Sequence, residues 1–261
     1  MSLRALGSGL AGDRWLAADR MALWEQALVV GVARGAAGTV LRLRLDEVPD
    51  VLPGQYYLVR LAVEVPPGVA EQAYSLCSSP YPPSGELEVA VREVPSGRVS
   101  PVLARQVEVG DLLQVRGPFG ILTWTERDGG PVGLVGAGTG VAPLVAIVRY
   151  AGAHGLDIPM TMLCSSRDPT TALLGDELEA LSRDMEWFRL VRAVTRGDAP
   201  STRYHRRIDA DMLAEVFEAA PRARRPSLYY VAGPGDMVIE VRAMLGSLGV
   251  PDDRIYSEDH A

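Results

Sequence analysis

The chain has 261 residues, is 48% hydrophobic and carries 33 acidic against 26 basic side chains, a formal net charge of -7. A typical domain takes roughly 100 to 200 residues, so the length predicts two hydrophobic cores, and the acidic balance argues against coating nucleic acid or an anionic membrane surface. Two cysteines, Cys77 and Cys164, and three histidines with no paired spacing predict no metal centre and no disulfide scaffold. No apolar stretch approaches the roughly 18 residues that a membrane span requires, and the N-terminus lacks the apolar core of a signal peptide. The expectation is a cytoplasmic protein without nucleic-acid or membrane partners. Basic residues gather late, in "RYHRRID" and "RRPSL".

Residues 1–21 read as an N-terminal extension, a short helix or an arm. From residue 22 to 125 the chain reads as short strands punctuated by Gly and Pro: "ALVVGVA", "TVLRLRL", "QYYLVRLA", "ELEVAVREV" and "DLLQVRG". The run from Thr39 to Leu45 alternates with period two, the pattern of a half-buried strand. Many short strands in about 100 residues predict an antiparallel barrel or sandwich. One interruption, "GRVSPVLARQ", carries a short apolar helical run. "AYSLCSS" presents Tyr74 and Ser75 behind a strand and ahead of a Ser-Ser-Pro loop.

The polar "TERDGG" at 125–130 is the expected linker, and residues 131–261 form the second domain. There the rhythm becomes strand, glycine-rich turn, helix, giving five strands and four helical segments, the pattern of a parallel, doubly wound sheet. "GLVGAGTGVAPL" sets Gly136, Gly138, Thr139 and Gly140 at the first strand end, with Pro143 in the following helical turn. Glycines there allow a pyrophosphate to approach the backbone amides of a helix N-terminus. Val141 occupies the third glycine position of the common dinucleotide fingerprint, so a plain tight turn is an equal reading of this loop alone. "VAGPGDM" places Gly233, Pro234, Asp236 and Met237 at the fourth strand end, on the same edge of the sheet. At the second strand end, Ser165, Ser166 and Arg167 suit a 2'-phosphate better than a free ribose hydroxyl, which favours NADPH over NADH.

The ordered set "AYSLCSS", "GRVS", "GPFG", "GAGTGVAP", "VAGPGDM" and a terminal acidic strand resembles the ferredoxin–NADP(+) reductase superfamily from about residue 22 onward. The resemblance implies an antiparallel six-stranded flavin-binding barrel before the nucleotide-binding domain, with hydride passing from nicotinamide to flavin between them. It implies that Tyr74 lies against the isoalloxazine ring, that Ser75 sits near the flavin N5, and that Gly97, Arg98, Val99 and Ser100 cradle flavin phosphates. The chain departs from the family pattern at three positions. The usual phosphate-binding arginine before Ala73 is Gln72, which raises the alternatives of compensation by Arg98, a loosely held flavin, or FMN instead of FAD. A cysteine position is Ala232, and the terminal aromatic is His260, which would cover the flavin incompletely. Glu258 would assist proton traffic, making Ser75 and Glu258 the expected catalytic pair.

The function so implied is a flavoprotein oxidoreductase that passes electrons from NADPH, or NADH, through FAD to a separate ferredoxin or oxygenase component. Arg98, Arg105 and Arg116 are candidate contacts for an acidic ferredoxin. Two alternatives share most of these motifs: a flavin or ferric reductase without a protein partner, and a flavin-binding electron-transfer or regulatory subunit that does not itself turn over NAD(P)H. The acceptor and the oligomeric state have no sequence signal.

Overall fold

The computed structural model describes residues 23–260 apart from 48–49, 65–66, 80–84, 198–201 and 219–224. The expected N-terminal extension, residues 1–21, lies outside the described residues. Six strands build the first sheet: β1 (Glu25–Gly35), β2 (Gly38–Leu45), β3 (Tyr56–Glu64), β4 (Pro67–Ser75), β5 (Glu86–Val91) and β6 (Leu112–Phe119). All pairings are antiparallel, in the order β4-β3-β6-β1-β2-β5. An antiparallel bridge from Leu76 to Val89 joins the two edge strands and closes the sheet into a barrel. The period-two reading of β2 holds: Leu41, Leu43 and Leu45 are buried, while Arg42 and Arg44 point outward to Glu86 on β5. Among the described residues a single α-helix interrupts the barrel, α1 (Ser100–Arg105), with Leu103 fully buried against its core.

β4 corrects the sequence reading in one respect. Tyr74 and Ser75 are the last two residues of that strand, where Tyr57 pairs with Tyr74 and Tyr56 with Ser75; they do not follow it in a loop.

The second sheet is parallel and contains β7 (Val132–Ala137), β8 (Met160–Ser166), β9 (Phe188–Val194), β10 (Leu228–Gly233) and β11 (Ile255–Asp259) in the order β11-β10-β7-β8-β9. Buried on both faces, its central strands β7 and β10 read as continuous apolar runs. On one face, Leu134 and Met162 pack with α2 (Val141–Ala153) and α3 (Gly175–Asp184); on the other, Val135, Leu163 and Val231 pack with α4 (Ala210–Leu213) and α5 (Gly235–Ser247). Helices on both faces make the sheet doubly wound. The segment from Ala214 to Glu218, expected to continue a regular helix, is a π-helical turn. Because β7 lies between β8 and β10, the chain reverses direction across the sheet there, and such a switch point opens a crevice at the carboxyl ends of the strands.

The connecting segment is anchored at both ends. Trp124 is fully buried in the second core and donates from Nε1 to the Gly129 carbonyl at 2.9 Å, while Thr125 and Asp128 cap the turn at 126–128. Two further features join the domains. Cys77 and Ala90 of the barrel pack on Ala142 and Leu173. Arg149 on α2 donates to the Cys77 carbonyl at 2.7 Å, to Glu88 at 2.7 Å and, through two nitrogens, to Glu177 at 2.6 and 2.7 Å. Desolvation alone would lower the affinity of that guanidinium for its proton, but the Glu177 hydrogen bonds and the surrounding negative groups more than reverse this, and Arg149 is held charged.

Both cysteines are buried, and burial pushes their thiols up, to about 12 for Cys77 and about 11 for Cys164. A thiol in that range has a negligible thiolate fraction at neutral pH. Iodoacetamide at pH 8 is therefore expected to label neither in the folded protein and both in urea; rapid labelling of either native thiol would contradict the burial. Among the described residues no three His, Cys, Asp or Glu side chains gather as metal ligands, and no helix is long and apolar enough to cross a membrane.

Candidate functional site

A cleft of about 1040 Å³ runs along β4 and ends against the carboxyl edge of the parallel sheet. The barrel supplies Gln72, Ala73, Tyr74 and Ser75 from β4 and Gly97, Arg98, Val99 and Ser100 from the approach to α1. The second domain supplies Thr139, Glu258 and His260. Residues spread over nearly the whole chain meet here because the end of β4 and the switch point of the parallel sheet face each other.

Local geometry prepares this cleft for a polar ligand. Tyr74 is buried, and its hydroxyl has no hydrogen-bond partner among the described residues. Burial pushes that phenol well above its usual range, so it remains a protonated donor. A buried hydroxyl left unpaired costs roughly 1 to 3 kcal/mol, a cost that a bound acceptor would remove. The N-terminus of α1 carries no side-chain cap: Val99 precedes it, and the Ser100 hydroxyl accepts from the Val94 amide at 3.1 Å. The Ser100 hydroxyl proton remains available to donate.

The remaining sequence candidates lie beside the cleft, at the ends of β7, β8 and β10. Gly138 adopts a left-handed φ of 60°. Gly140 is required by packing: a Cβ there would stand 2.2 Å from the Ala232 carbonyl carbon and 2.4 Å from the Gly233 nitrogen. The glycine loops after β7 and β10 are thus in backbone contact. Gly136 abuts the Leu144 side chain on α2, and a Cβ at Gly233 would meet Met237 Cε at 3.0 Å and the Ala137 carbonyl at 3.1 Å. Pro143 is buried in the first turn of α2, whereas Pro234 and Asp236 are exposed at the start of α5. At the end of β8, Ser165 is half-buried, Ser166 donates to the Asp168 carbonyl at 3.0 Å, and Arg167 is exposed.

Three residues have contacts that the sequence reading did not foresee. His260 lines the cleft, and its two ring nitrogens are 3.2 Å from Thr139 Oγ1 and 3.0 Å from Glu258 Oε1. Arg92, at the end of β5, was not singled out at all. It lines the cleft, donates to the Thr171 carbonyl, and has Nη1 3.7 Å from the Cβ position of Gly138. Burial first, and then the charge of Arg167, make the Arg92 guanidinium hold its proton less tightly than usual. Tyr56, also unremarked, lines the cleft beside Gly120 and Glu258.

The three basic candidates for partner contact lie in different settings. Arg98 lines the cleft, Arg105 is paired with Glu93, and Arg116 lies over the rings of Trp24 and Phe119, at 4.8 and 5.7 Å from their centroids.

Comparison with known proteins agrees with this architecture. Residues 35–124 match the oxidoreductase FAD-binding domain and residues 134–243 the oxidoreductase NAD-binding domain. A ferredoxin–NAD(P)(+) reductase of Metapseudomonas resinovorans is 32% identical over 221 residues, covering 83% of this chain and 62% of that protein. The reductase component of a propane 2-monooxygenase of Mycolicibacterium goodii is 25% identical over 222 residues, covering 83% and 62%. The chain therefore spans about three fifths of the length of these curated relatives. The flavohaem-like FAD/NAD-binding domain of a nitric oxide dioxygenase from Vibrio cholerae has the same fold, with a TM-score of 0.79, 24% identity, and coverage of 90% of this chain and 98% of that one. With an FAD-binding barrel followed by an NAD-binding parallel sheet, the chain belongs to the ferredoxin reductase family of oxidoreductases.

Proposed function

We propose that the protein is a flavin-dependent NAD(P)H oxidoreductase that delivers electrons to a separate one-electron acceptor, a ferredoxin or an oxygenase component. The observation that carries this reading is the single cleft in which the Tyr74-Ser75 end of β4 faces the switch point of the nucleotide-binding sheet. Bound FAD would supply the chemistry that takes up one hydride, two electrons together, and passes the electrons on singly; the chain supplies position and electrostatics.

Tyr74 offers its buried hydroxyl as a donor and its ring as an apolar face. Ser75, buried at the strand end, borders the place where hydride arrives. Gly97, Arg98, Val99 and Ser100 hold flavin phosphate at the uncapped start of α1. A cleft of about 1040 Å³ stands at the upper end of the roughly 300–1,000 Å³ usual for ligand sites, which favours the dinucleotide FAD over FMN. With Gln72 exposed and uncharged, Arg98 is a cation that would meet phosphate beside α1. On the nucleotide side, Arg92 and Arg167 together favour NADPH over NADH, with Ser165 and Ser166 leaving the ribose position free of a carboxylate. Gly136, Gly138, Thr139, Gly140 and Pro143, with Gly233, Pro234, Asp236 and Met237, border the nicotinamide nucleotide. Glu258 takes the proton traffic.

The direct test is coupled electron transfer. Protein loaded with FAD and given NADPH should reduce cytochrome c slowly alone and much faster when a ferredoxin is added; equal rates with and without ferredoxin would favour a reductase that has no protein partner.

Tyr74→Phe gives a separate check with two opposite signs. Removing the orphaned hydroxyl should leave the flavin-free protein unchanged or more stable by up to about 1 kcal/mol and weaken FAD binding by about fivefold to tenfold. Urea melts and flavin titration measure the two; undiminished FAD affinity would remove the hydroxyl from the flavin site.

A further inference from the structure

The end of β11 is tied across the switch point. The His260 amide donates to the Gly233 carbonyl at 2.8 Å, which carries the residue over the end of β10. Its ring then spans two other elements: Nδ1 lies 3.2 Å from Thr139 Oγ1 in the loop after β7, and Nε2 lies 3.0 Å from Glu258 Oε1 on β11. An ionised carboxylate can only accept, so Nε2 carries a proton; Nδ1 then accepts from the Thr139 hydroxyl when the ring is neutral and donates to it when the ring is charged. Either form satisfies all three groups. The second carboxylate oxygen, Glu258 Oε2, points toward the barrel, 3.5 Å from the Cβ position of Gly120. The His260 and Glu258 side chains are only 13% and 20% exposed, so water competes weakly for these bonds. A phenyl ring at 260 would fix neither partner.

We propose that His260 is a positioning residue: it locks the Thr139 hydroxyl and the Glu258 carboxylate into one arrangement across the crevice, so that nicotinamide enters the cleft in a single orientation. This rests on the reductase reading above. The residue works through its two hydrogen bonds and not by covering the flavin with a ring.

Four variants separate those roles. His260→Phe keeps a planar ring and removes both bonds. His260→Gln has an amide that can donate to Glu258 and accept from Thr139. Thr139→Val removes one bond from the other side, and the double variant H260F/T139V combines both losses. With FAD bound, the limiting rate of flavin bleaching by NADPH should fall about tenfold in H260F and in T139V, while H260Q stays within about threefold of the parent. The double variant should be no slower than the slower single one, since both changes break the same bond. FAD affinity should be equal in all of them. In the flavin-free protein, long-range ¹H–¹⁵N spectra should find Nε2 protonated at His260 in the parent and in T139V, with the Nδ1 resonance moved in T139V, where its hydrogen bond is gone.

Equal bleaching rates in the parent and H260F, or an H260Q as slow as H260F, would overturn the inference while leaving the reductase reading standing. An Nδ1–H tautomer in the parent would overturn it as well. A parent protein that binds FAD and is bleached by neither NADPH nor NADH would sink the reductase reading and this inference with it.

Discussion

Gly140→Ala should destabilise the protein by about 2 to 3 kcal/mol, the upper part of the usual range for overpacking a close-packed site. The new methyl would stand 2.2 Å from the Ala232 carbonyl carbon, 2.3 Å from its oxygen and 2.4 Å from the Gly233 nitrogen. These are backbone atoms of β10, paired with β7 on one side and β11 on the other, and they cannot swing aside as a side-chain tip would. Relief requires parting the two glycine loops, and with them the crevice. The expected outcome is a lower urea midpoint together with loss of NAD(P)H-driven flavin reduction, while the barrel still binds FAD. Gly246→Ala is the control: near the end of α5 its Cβ meets nothing within 4 Å, and replacing a helical glycine there should stabilise by up to about 1 kcal/mol. A Gly140→Ala protein as stable as the parent would refute the loop contact.

Arg149→Met should cost about 2 to 3 kcal/mol, below the roughly 3 to 5 kcal/mol for breaking a buried ion pair because this one is partly wet. The Arg149, Glu88 and Glu177 side chains are 20%, 29% and 33% exposed. Met replaces the packing of the stem and leaves two carboxylates and the Cys77 carbonyl facing one another without a cation. The destabilising agent is the stranded negative charge, not the lost contact. It follows that E88Q and E177Q added to R149M should restore most of the stability, since the triple variant strands no charge. Because the same side chain joins barrel to nucleotide-binding domain, R149M should also slow flavin reduction more than it weakens FAD binding. A triple variant no more stable than R149M would show that the cost lies in packing.

Local signals were legible wherever one face of an element alone meets a core. β2 could be read residue by residue because its alternation reports one wet and one dry face. The strand–turn–helix rhythm after residue 131 gave the doubly wound sheet for another reason: its central strands, buried on both faces, read as short apolar runs between glycine-rich turns. β4 was harder to read: Glu71, Gln72 and Ala73 form an exposed run along the cleft, so no alternation links the buried Ala70 to the buried Tyr74. The π-helical turn after α4 has no pattern of its own, because the expected helix and the observed turn bury the same Val216 and Phe217.

Interactions across the domains left no local trace. Arg92 donates to a carbonyl 79 residues away, and Arg149 reaches partners 61 and 72 residues away. The His260 ring meets Thr139 across 121 residues. A sequence window sees each of these as an isolated charge or ring. The glycines show a further limit: their positions were legible, but at Gly140 the packing of one loop on another accounts for the missing side chain.

The most direct test of the reductase account is anaerobic. The protein is saturated with FAD, freed of unbound flavin, and mixed with NADPH and, separately, with NADH, while the visible flavin absorbance is followed. The account predicts tight FAD binding and rapid bleaching, faster at low concentrations of NADPH than of NADH. A firmly bound flavin that neither nucleotide bleaches would contradict it and make the protein a flavin-binding subunit without NAD(P)H turnover.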